Sequence, residues 1–324
     1  MRFTGHALTF QKFIGYFQKM KPLHIETPLF ESQALSMQAG RSVWLKLEAL
    51  QPPGSFKIRG IGFACQEYAR RGANRFISSS GGNAGIAVAY AGRYLTIPVL
   101  VVVPETTTER AKKLIQQEGA EIVVHGSSWQ EANALAVSMV KDTDAFLHPF
   151  DDPLLWQGHA TMIDEIARSG MKPDAIVLSV GGGGLLSGVV EGLRRNNWQD
   201  VPVIAVETNG ADSFAKSVSA GHRIELPAIT SIATSLGARK ICERAFNWSK
   251  QHPIHNVVVS DRVAVSACER FIIDQRIVVE PACGAALAIA YERVAEIGIF
   301  KSILIIVCGG ATTSIEQLRQ WSKI

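Results

Sequence analysis

The sequence predicts an α/β protein built on doubly wound parallel sheets. From Val43 onward, short runs of β-branched and aliphatic residues alternate with segments whose apolar residues recur at helical spacing. The runs are continuously apolar and bounded by Gly or Pro, as expected of strands covered by helices on both faces. With 324 residues the chain exceeds the usual size of one core, so we expect two lobes. The predicted strands are Val43–Leu47, Phe76–Ser79, Val99–Val103, Ile122–Val124, Ala175–Val180, Val203–Glu207, Val257–Val259 and Ile303–Val307.

The composition excludes several classes of protein. The formal net charge is only +4 and the basic residues form no block, so we do not expect a nucleic-acid partner. No apolar run approaches the ~18 residues that span a bilayer, so we expect no membrane segment. The 5 cysteines form no CxxC pair, which argues against a disulfide framework or a structural zinc site. A reducing compartment, and therefore the cytoplasm, is the predicted location.

The lobe boundary is predicted at "HPFDDPLLWQGHAT", a stretch dense in polar and aromatic residues after which the strand–helix series restarts. Its two histidines, His148 and His159, could act directly or could be structural, and the sequence leaves both possibilities open. Residues 10–17 carry four apolar side chains at helical spacing, which predicts a short helix. The prediction assigns residues 1–48 and 149–324 to a large lobe, with 1–20 as an extension, and residues 49–148 to a small lobe.

Lys57 is the first candidate for a chemical role. It lies in "QPPGSFKIRG", where Pro and Gly end an extended run and Ser55 is the predicted N-cap of the next helix. A lysine in the first turn of a helix faces the positive end of the macrodipole, and Phe56 can exclude water. Both effects would lower the pKa of Lys57, as a Schiff-base lysine requires. A solvated surface lysine is the alternative.

Three glycine-rich turns follow predicted strands, in "SSSGGNAG", "SVGGGGLLSG" and "VCGGATTS". Such strand-to-helix turns present free backbone N–H groups to an anion such as a phosphate. Each could instead be only a tight turn, and Cys308 in the third could be an inert buried thiol. Together with one lysine at a helix start, the three turns fit a single cleft that binds an aldehyde cofactor carrying a phosphate.

A dinucleotide site is the competing interpretation of the second turn. Gly182, Gly184 and Gly188 form GxGxxxG, one residue longer than the dinucleotide fingerprint, while Glu207 stands where a ribose-binding carboxylate would. The turn does not belong to the first strand–helix unit, which counts against NAD.

These motifs together resemble the L-serine dehydratase/L-threonine ammonia-lyase family of fold-type II pyridoxal-phosphate enzymes, in its short serine-dehydratase branch. The resemblance runs from about Leu23 to the C-terminus and implies a two-lobed fold like that of the tryptophan synthase β subunit, with the cofactor between the lobes. It also implies β-elimination of L-serine and L-threonine, an amino acid as substrate and a homodimer. The motifs that carry it are "TPLFES", "QPPGSFKIRG", "SSGGNAG", "FDDPLLWQGHA", "LSVGGGGLLSGVV", "ITSIATSLGA", "EPACGAALA" and "VCGGATTS".

The resemblance also implies a role for individual residues. Lys57 would form the Schiff base with pyridoxal phosphate and then carry the substrate α-proton. The implied cofactor-binding residues are Phe56, Lys57, Asn83, Gly181, Gly182, Gly183, Gly184, Leu185 and Cys308. The implied substrate-binding residues are Ser80, Gly81, Asn83 and Ala84. A monovalent cation, K⁺ being the candidate, would be held by Gly181, Glu207, Ala211, Ser213, Leu236 and Ala238.

Serine racemase is the nearest alternative, because racemases of this fold carry a serine at the position of Gly81 and a histidine at that of Ala84. Another fold-type II lyase or synthase, an NAD enzyme and a non-catalytic paralogue are weaker alternatives. Liver-type serine dehydratases resembling this chain have alanine where Gly81 stands. From the sequence we therefore expect Gly81→Ala to improve positioning in this loop and to raise kcat/KM.

Overall fold

The computed structural model describes residues 21–323 and contains two β-sheets. The predicted helix in residues 10–17 lies outside the described residues. Within the described residues, none of the helices is both long and apolar enough to cross a bilayer. The strands are β1 (Leu29–Glu31), β2 (Ser42–Lys46), β3 (Arg75–Ser78), β4 (Val99–Val103), β5 (Glu121–Val124), β6 (Asp144–Leu147), β7 (Ala175–Ser179), β8 (Val203–Thr208), β9 (Ile254–Val259) and β10 (Ser302–Ile306).

The larger sheet has six strands in the order β1-β2-β10-β7-β8-β9. Only the edge strand β1 runs antiparallel to its neighbour, and the remaining pairs are parallel. The smaller sheet has the order β5-β4-β3-β6 and is parallel throughout. Strands β4 and β7 are buried at every position, as their continuously apolar sequences predict.

Helices cover the faces of both sheets and begin where the strands end. They are α1 (Gln33–Ala39), α2 (Lys57–Arg70), α3 (Asn83–Leu95), α4 (Glu109–Gln117), α5 (Trp129–Ser138), α6 (Pro153–Arg168), α7 (Gly184–Arg195), α8 (Ser213–Ala220), α9 (Glu243–Trp248), α10 (Asp261–Gln275), α11 (Pro281–Tyr291) and α12 (Ile315–Trp321). The α/β class predicted from the sequence is therefore confirmed.

The eight predicted strands all form, with bounds that differ by three residues at most. The sequence analysis missed β1 and β6. Strand β1 is only three residues long and partly exposed, and β6 begins at an aspartate, so neither shows the apolar run of a buried strand.

The predicted N-cap of α2 was wrong. Ser55 makes no capping hydrogen bond, and Phe56 occupies the cap position with helical backbone angles. Ser55 instead forms an antiparallel bridge with Gly309 in the loop after β10, and the Phe56 N–H donates to the Cys308 carbonyl at 2.9 Å. The start of α2 is therefore fixed by a neighbouring loop and not by a local cap.

A buried network of charges anchors α2 to the rest of the chain. The fully buried Arg59 donates to both carboxylate oxygens of Glu48 and of Glu165 at 2.6–2.8 Å. Lys46 of β2 also donates to Glu165, at 2.6 Å. Because each buried charge faces an opposite charge, removing one partner would leave the others uncompensated. The network fixes the helix that carries Lys57, two residues before Arg59.

Candidate active site

Lys57 is the first residue of α2, and its side chain points toward the loop after β6. Its Nζ donates a hydrogen bond to the carbonyl oxygen of Pro149 at 2.6 Å and lies 5.2 Å from the centroid of the Phe56 ring. The prediction that Lys57 lies in the first helical turn, beside an aromatic ring that excludes water, is confirmed.

Burial lowers the pKa of Lys57 to about 8, while the nearby Cys308 and Glu280 act in the opposite direction and favour the charged form. An ordinary lysine is almost wholly protonated at neutral pH, whereas a group with a pKa of about 8 has an appreciable neutral fraction. A neutral amine can attack an aldehyde or take up a proton, and both are properties of a catalytic lysine.

The four-glycine turn follows β7 and opens α7 close to Lys57. Gly183 has a φ of 93°, which favours glycine, and Phe150 crowds the residues on either side of it. A Cβ on Gly182 would lie 2.3 Å from the Phe150 ring, and one on Gly184 would lie 2.7 Å from the Phe150 carbonyl oxygen. Since Phe150 adjoins Pro149, the turn and the lysine border the same space. The backbone N–H groups of such a turn suit an anion.

Cys308, in the loop after β10, also lies close to Lys57. Its carbonyl accepts the Phe56 N–H, and its buried thiol shares a hydrogen bond with the thiol of Cys283. That bond, together with burial, raises the pKa of the Cys308 thiol well above its ordinary value. The thiol is therefore a neutral group throughout the physiological pH range.

Asn83 opens α3 and reaches a carboxylate that the sequence analysis did not assign. Its Nδ2 donates to Glu280 Oε1 at 2.8 Å, and Thr312 Oγ1 donates to Glu280 Oε2 at 3.0 Å. Asn83 Oδ1 is buried and has no hydrogen-bond partner among the described residues. The signal for Glu280 was present in the quoted "EPACGAALA", where a glutamate directly precedes the proline that starts α11.

The loop predicted to bind substrate lies between β3 and α3. Ser80 Oγ accepts the Gly82 N–H at 3.3 Å, and the Ser80 carbonyl leaves no room for a Cβ on Gly85, which would lie 1.8 Å from it. A Cβ on Gly81 would meet the side chain of Thr107 at 2.5–2.6 Å. Ala84 is buried in the first turn of α3. The loop is thus tightly packed, and a ligand would contact mainly its backbone groups.

The two histidines of the predicted boundary have different surroundings. His148 Nδ1 accepts the N–H groups of Phe150 and Asp151, at 3.3 and 2.8 Å, so this histidine shapes the loop beside Lys57. His159 is fully buried 4.9 Å from the Phe56 ring, and neither of its ring nitrogens has a partner among the described residues. Burial is the main reason that both pKa values fall, that of His148 to about 4. Neither imidazole is charged at neutral pH.

Glu207, the carboxylate among the residues predicted to hold a cation, is buried near the end of β8. Its carboxylate accepts the N–H groups of Phe214 and Ala215 at 2.9 and 2.7 Å, and burial raises its pKa to about 8. Gly181 packs against the backbone of Leu236, since a Cβ there would lie 3.1 Å from the Leu236 Cα. Over residues 21–323 no cluster of three His, Cys, Asp or Glu side chains could hold a metal ion.

The chain belongs to the family described as pyridoxal-phosphate dependent enzymes, whose model matches residues 20–309. The site fits this cofactor, because a lysine of lowered pKa, a glycine turn at a helix N-terminus, a neutral thiol and an unpartnered amide oxygen surround one space. These groups suit its aldehyde, phosphate, ring nitrogen and 3-hydroxyl.

Among its relatives, the chain is 47% identical over 310 residues to the human protein named L-serine dehydratase/L-threonine deaminase, covering 92% of this chain and 94% of the human one. The crystal structure of a fungal L-serine ammonia-lyase from Rhizomucor miehei matches with a TM-score of 0.89 and 36% identity, covering 94% of this chain and 99% of that one. The structure of maize serine racemase matches with a TM-score of 0.85 and 25% identity, covering 96% and 95%.

Proposed function

We propose that this protein is a pyridoxal-phosphate-dependent ammonia-lyase that converts L-serine to pyruvate and L-threonine to 2-oxobutanoate, each with release of ammonia. The observation that carries the proposal is Lys57, a lysine of lowered pKa at a helix start that borders both the glycine turn and the Cys308 loop. The 47% identity to the human L-serine dehydratase/L-threonine deaminase supports the choice of substrates.

We assign the cofactor to the residues that surround Lys57. Lys57 would hold the aldehyde carbon, Phe56 would pack beside the ring, and Asn83 would contact the 3-hydroxyl. Backbone N–H groups of residues 181–185 would hold the phosphate at the N-terminus of α7. The neutral thiol of Cys308 would serve the ring nitrogen.

The reaction requires loss of the substrate Cα proton and departure of the β-hydroxyl. When bound, pyridoxal phosphate supplies the electron sink that makes the Cα–H bond acidic. The Lys57 amine, neutral in part at physiological pH, takes up that proton. Backbone N–H groups among Ser80, Gly81, Asn83 and Ala84 would orient the substrate carboxylate. The Cys308 thiol, unlike a carboxylate, would not hold the cofactor's ring nitrogen protonated, and this would favour elimination over transamination.

Serine racemisation is the second candidate activity, favoured by the likeness to maize serine racemase. It needs an acid on the face opposite Lys57. At Gly81, where racemases of this fold carry a serine, a Cβ would lie 2.5 Å from Thr107 Oγ1. Because this chain has glycine there, the position supplies no hydroxyl that could act as the acid, which supports the lyase activity over the racemase.

The proposal extends to the cation site, the domains, the assembly and the location. We infer that Glu207 holds a monovalent cation such as K⁺ together with carbonyl groups of Gly181, Ala211, Ser213, Leu236 and Ala238. We infer that residues 1–48 and 149–324 form one lobe and residues 49–148 the other. We also infer a cytoplasmic homodimer that binds no nucleic acid.

Two measurements on the purified protein test the proposed function. Visible absorption after addition of pyridoxal phosphate should show a cofactor band that changes when L-serine is added. A keto-acid assay should detect pyruvate from L-serine and 2-oxobutanoate from L-threonine, and chiral analysis should find no D-serine. D-serine formation without keto acid would favour the racemase, and absence of a cofactor band would refute both.

A further inference from the structure

Glu280 is a buried carboxylate whose two oxygens are both committed to neighbouring side chains. It occupies the N-cap position of α11, yet its side chain makes no capping bond to that helix. It turns instead toward the site, where Oε1 accepts from Asn83 at 2.8 Å and Oε2 accepts from Thr312 at 3.0 Å. Both interactions are long-range in sequence, so the folded cleft and not the local chain creates them.

These contacts fix the orientation of the Asn83 amide. Asn83 directs its NH₂ group, and not its oxygen, toward Glu280, whose oxygens act as the acceptors. Asn83 Oδ1 is then left buried and without a partner among the described residues. An unsatisfied buried acceptor is costly unless a ligand supplies a donor. The ligand atom next to Asn83 should therefore carry a hydrogen.

We propose that Glu280 is a positioning residue that orients Asn83 so that its Oδ1 accepts a hydrogen bond from the protonated 3-hydroxyl of pyridoxal phosphate. The inference deepens the proposed function and rests on it. A role for Glu280 as a proton donor fits less well, because each of its oxygens already accepts from a side chain. Burial raises the pKa of Glu280, and the hydrogen bonds from Thr312, Ser235 and Asn83 counter that effect only in part.

The test compares the affinity for pyridoxal phosphate with that for 3-deoxypyridoxal phosphate, an analogue without the 3-hydroxyl, by equilibrium dialysis. The parent protein should prefer the natural cofactor by about tenfold to a hundredfold, the range of one hydrogen bond in a buried site. Glu280→Gln should lose most of this preference, because a glutamine NH₂ can donate to Asn83 Oδ1 and occupy it. Asn83→Ala should lose it as well, and the double variant should lose no more than either single one.

Two further variants make the test decisive. Glu191→Gln changes a half-buried carboxylate on α7 that contacts Arg244 and should keep the full preference. Thr312→Val removes one of the hydrogen bonds that hold Glu280 and should lose part of the preference. This variant replaces Glu280→Gln in the test if thermal unfolding shows that Glu280→Gln does not fold. The inference about Glu280 would be overturned, and the proposed function left intact, by an undiminished cofactor preference in Glu280→Gln. Losses of preference that are additive in the double variant would overturn it in the same way. A parent protein that binds neither compound would overturn the proposed function with it.

Discussion

Gly81→Ala is a substitution for which the structure predicts the opposite of the sequence. The sequence analysis expected a gain, because similar dehydratases carry alanine there. In the structure, a Cβ on Gly81 would lie 2.5 Å from Oγ1, 2.6 Å from Cγ2 and 3.2 Å from Cβ of Thr107. The two branches of Thr107 straddle the position, so rotation about χ1 can remove one of them but not both.

The loop must therefore move to admit the methyl group. Overpacking of this kind costs about 1–3 kcal/mol. In a loop that orients a substrate, a displacement of about 1 Å can reduce the rate on the order of a hundredfold. We expect Gly81→Ala to lower kcat/KM for L-serine by about tenfold to a hundredfold, measured by coupled pyruvate assay.

Thr107→Ala provides the matched control, because it removes both branches and leaves only the Cβ at 3.2 Å. Combined with Gly81→Ala, it should recover most of the lost activity, whereas Thr107→Ala alone is measured for its own effect. A Gly81→Ala variant as active as the parent would show that the Thr107 side chain can move aside without loss of activity. A double variant no better than Gly81→Ala would show that the contact with Thr107 is not the cause.

Three further predictions concern charge and hydrogen bonding in the site. The rate at which cofactor-free protein captures pyridoxal phosphate should rise with pH to a midpoint of about 8, because burial lowers the pKa of Lys57; a stopped-flow midpoint near 10.5 would contradict this. At pH 7 such a lysine has a neutral fraction roughly 300 times that of an unperturbed one. Glu207 has a pKa raised from 4.5 to about 8, so without a bound cation its contribution to stability should be lost as pH rises between these values. In calorimetry, K⁺ should raise the Tm of the parent more at pH 8 than at pH 5, whereas in Glu207→Gln it should change Tm equally at the two pH values. Equal Tm shifts at both pH values in the parent would refute the cation site. Cys308→Ser should keep most of the elimination activity. Cys308→Asp should lose about tenfold or more of it, because a carboxylate stabilises a protonated ring nitrogen. Equal activity in the two variants would show that the Cys308 thiol has no electronic role.

Much of the fold could be predicted because buried parallel strands have a recognisable sequence. Strand β4, for example, is apolar at all five positions and has the predicted bounds. Strands β1 and β6 lack such runs and form by pairing with β2 and β3, which their local sequences do not indicate. The cap of α2 could not be predicted, because the bridge between Ser55 and Gly309 joins segments about 250 residues apart.

The residues of the site also differ in whether the sequence alone could identify them. Lys57 could be identified from its place at a helix start directly after an aromatic residue, and burial in the folded protein lowers its pKa as expected. Glu280 could not, since its role depends on contacts with Asn83 and Thr312 that only the folded chain creates. The effect of Gly81 also depends on a neighbour, Thr107, that the sequence does not identify.

Borohydride reduction followed by peptide mapping tests most directly the claim that Lys57 is the cofactor-binding lysine. After incubation with pyridoxal phosphate and reduction, we expect the label on Lys57 and no label at this position in Lys57→Ala. The same variant should lose pyruvate formation from L-serine by several orders of magnitude, because its attachment point and its base are both removed. Recovery of the label on any other lysine, or full turnover by Lys57→Ala, would refute the assignment of Lys57.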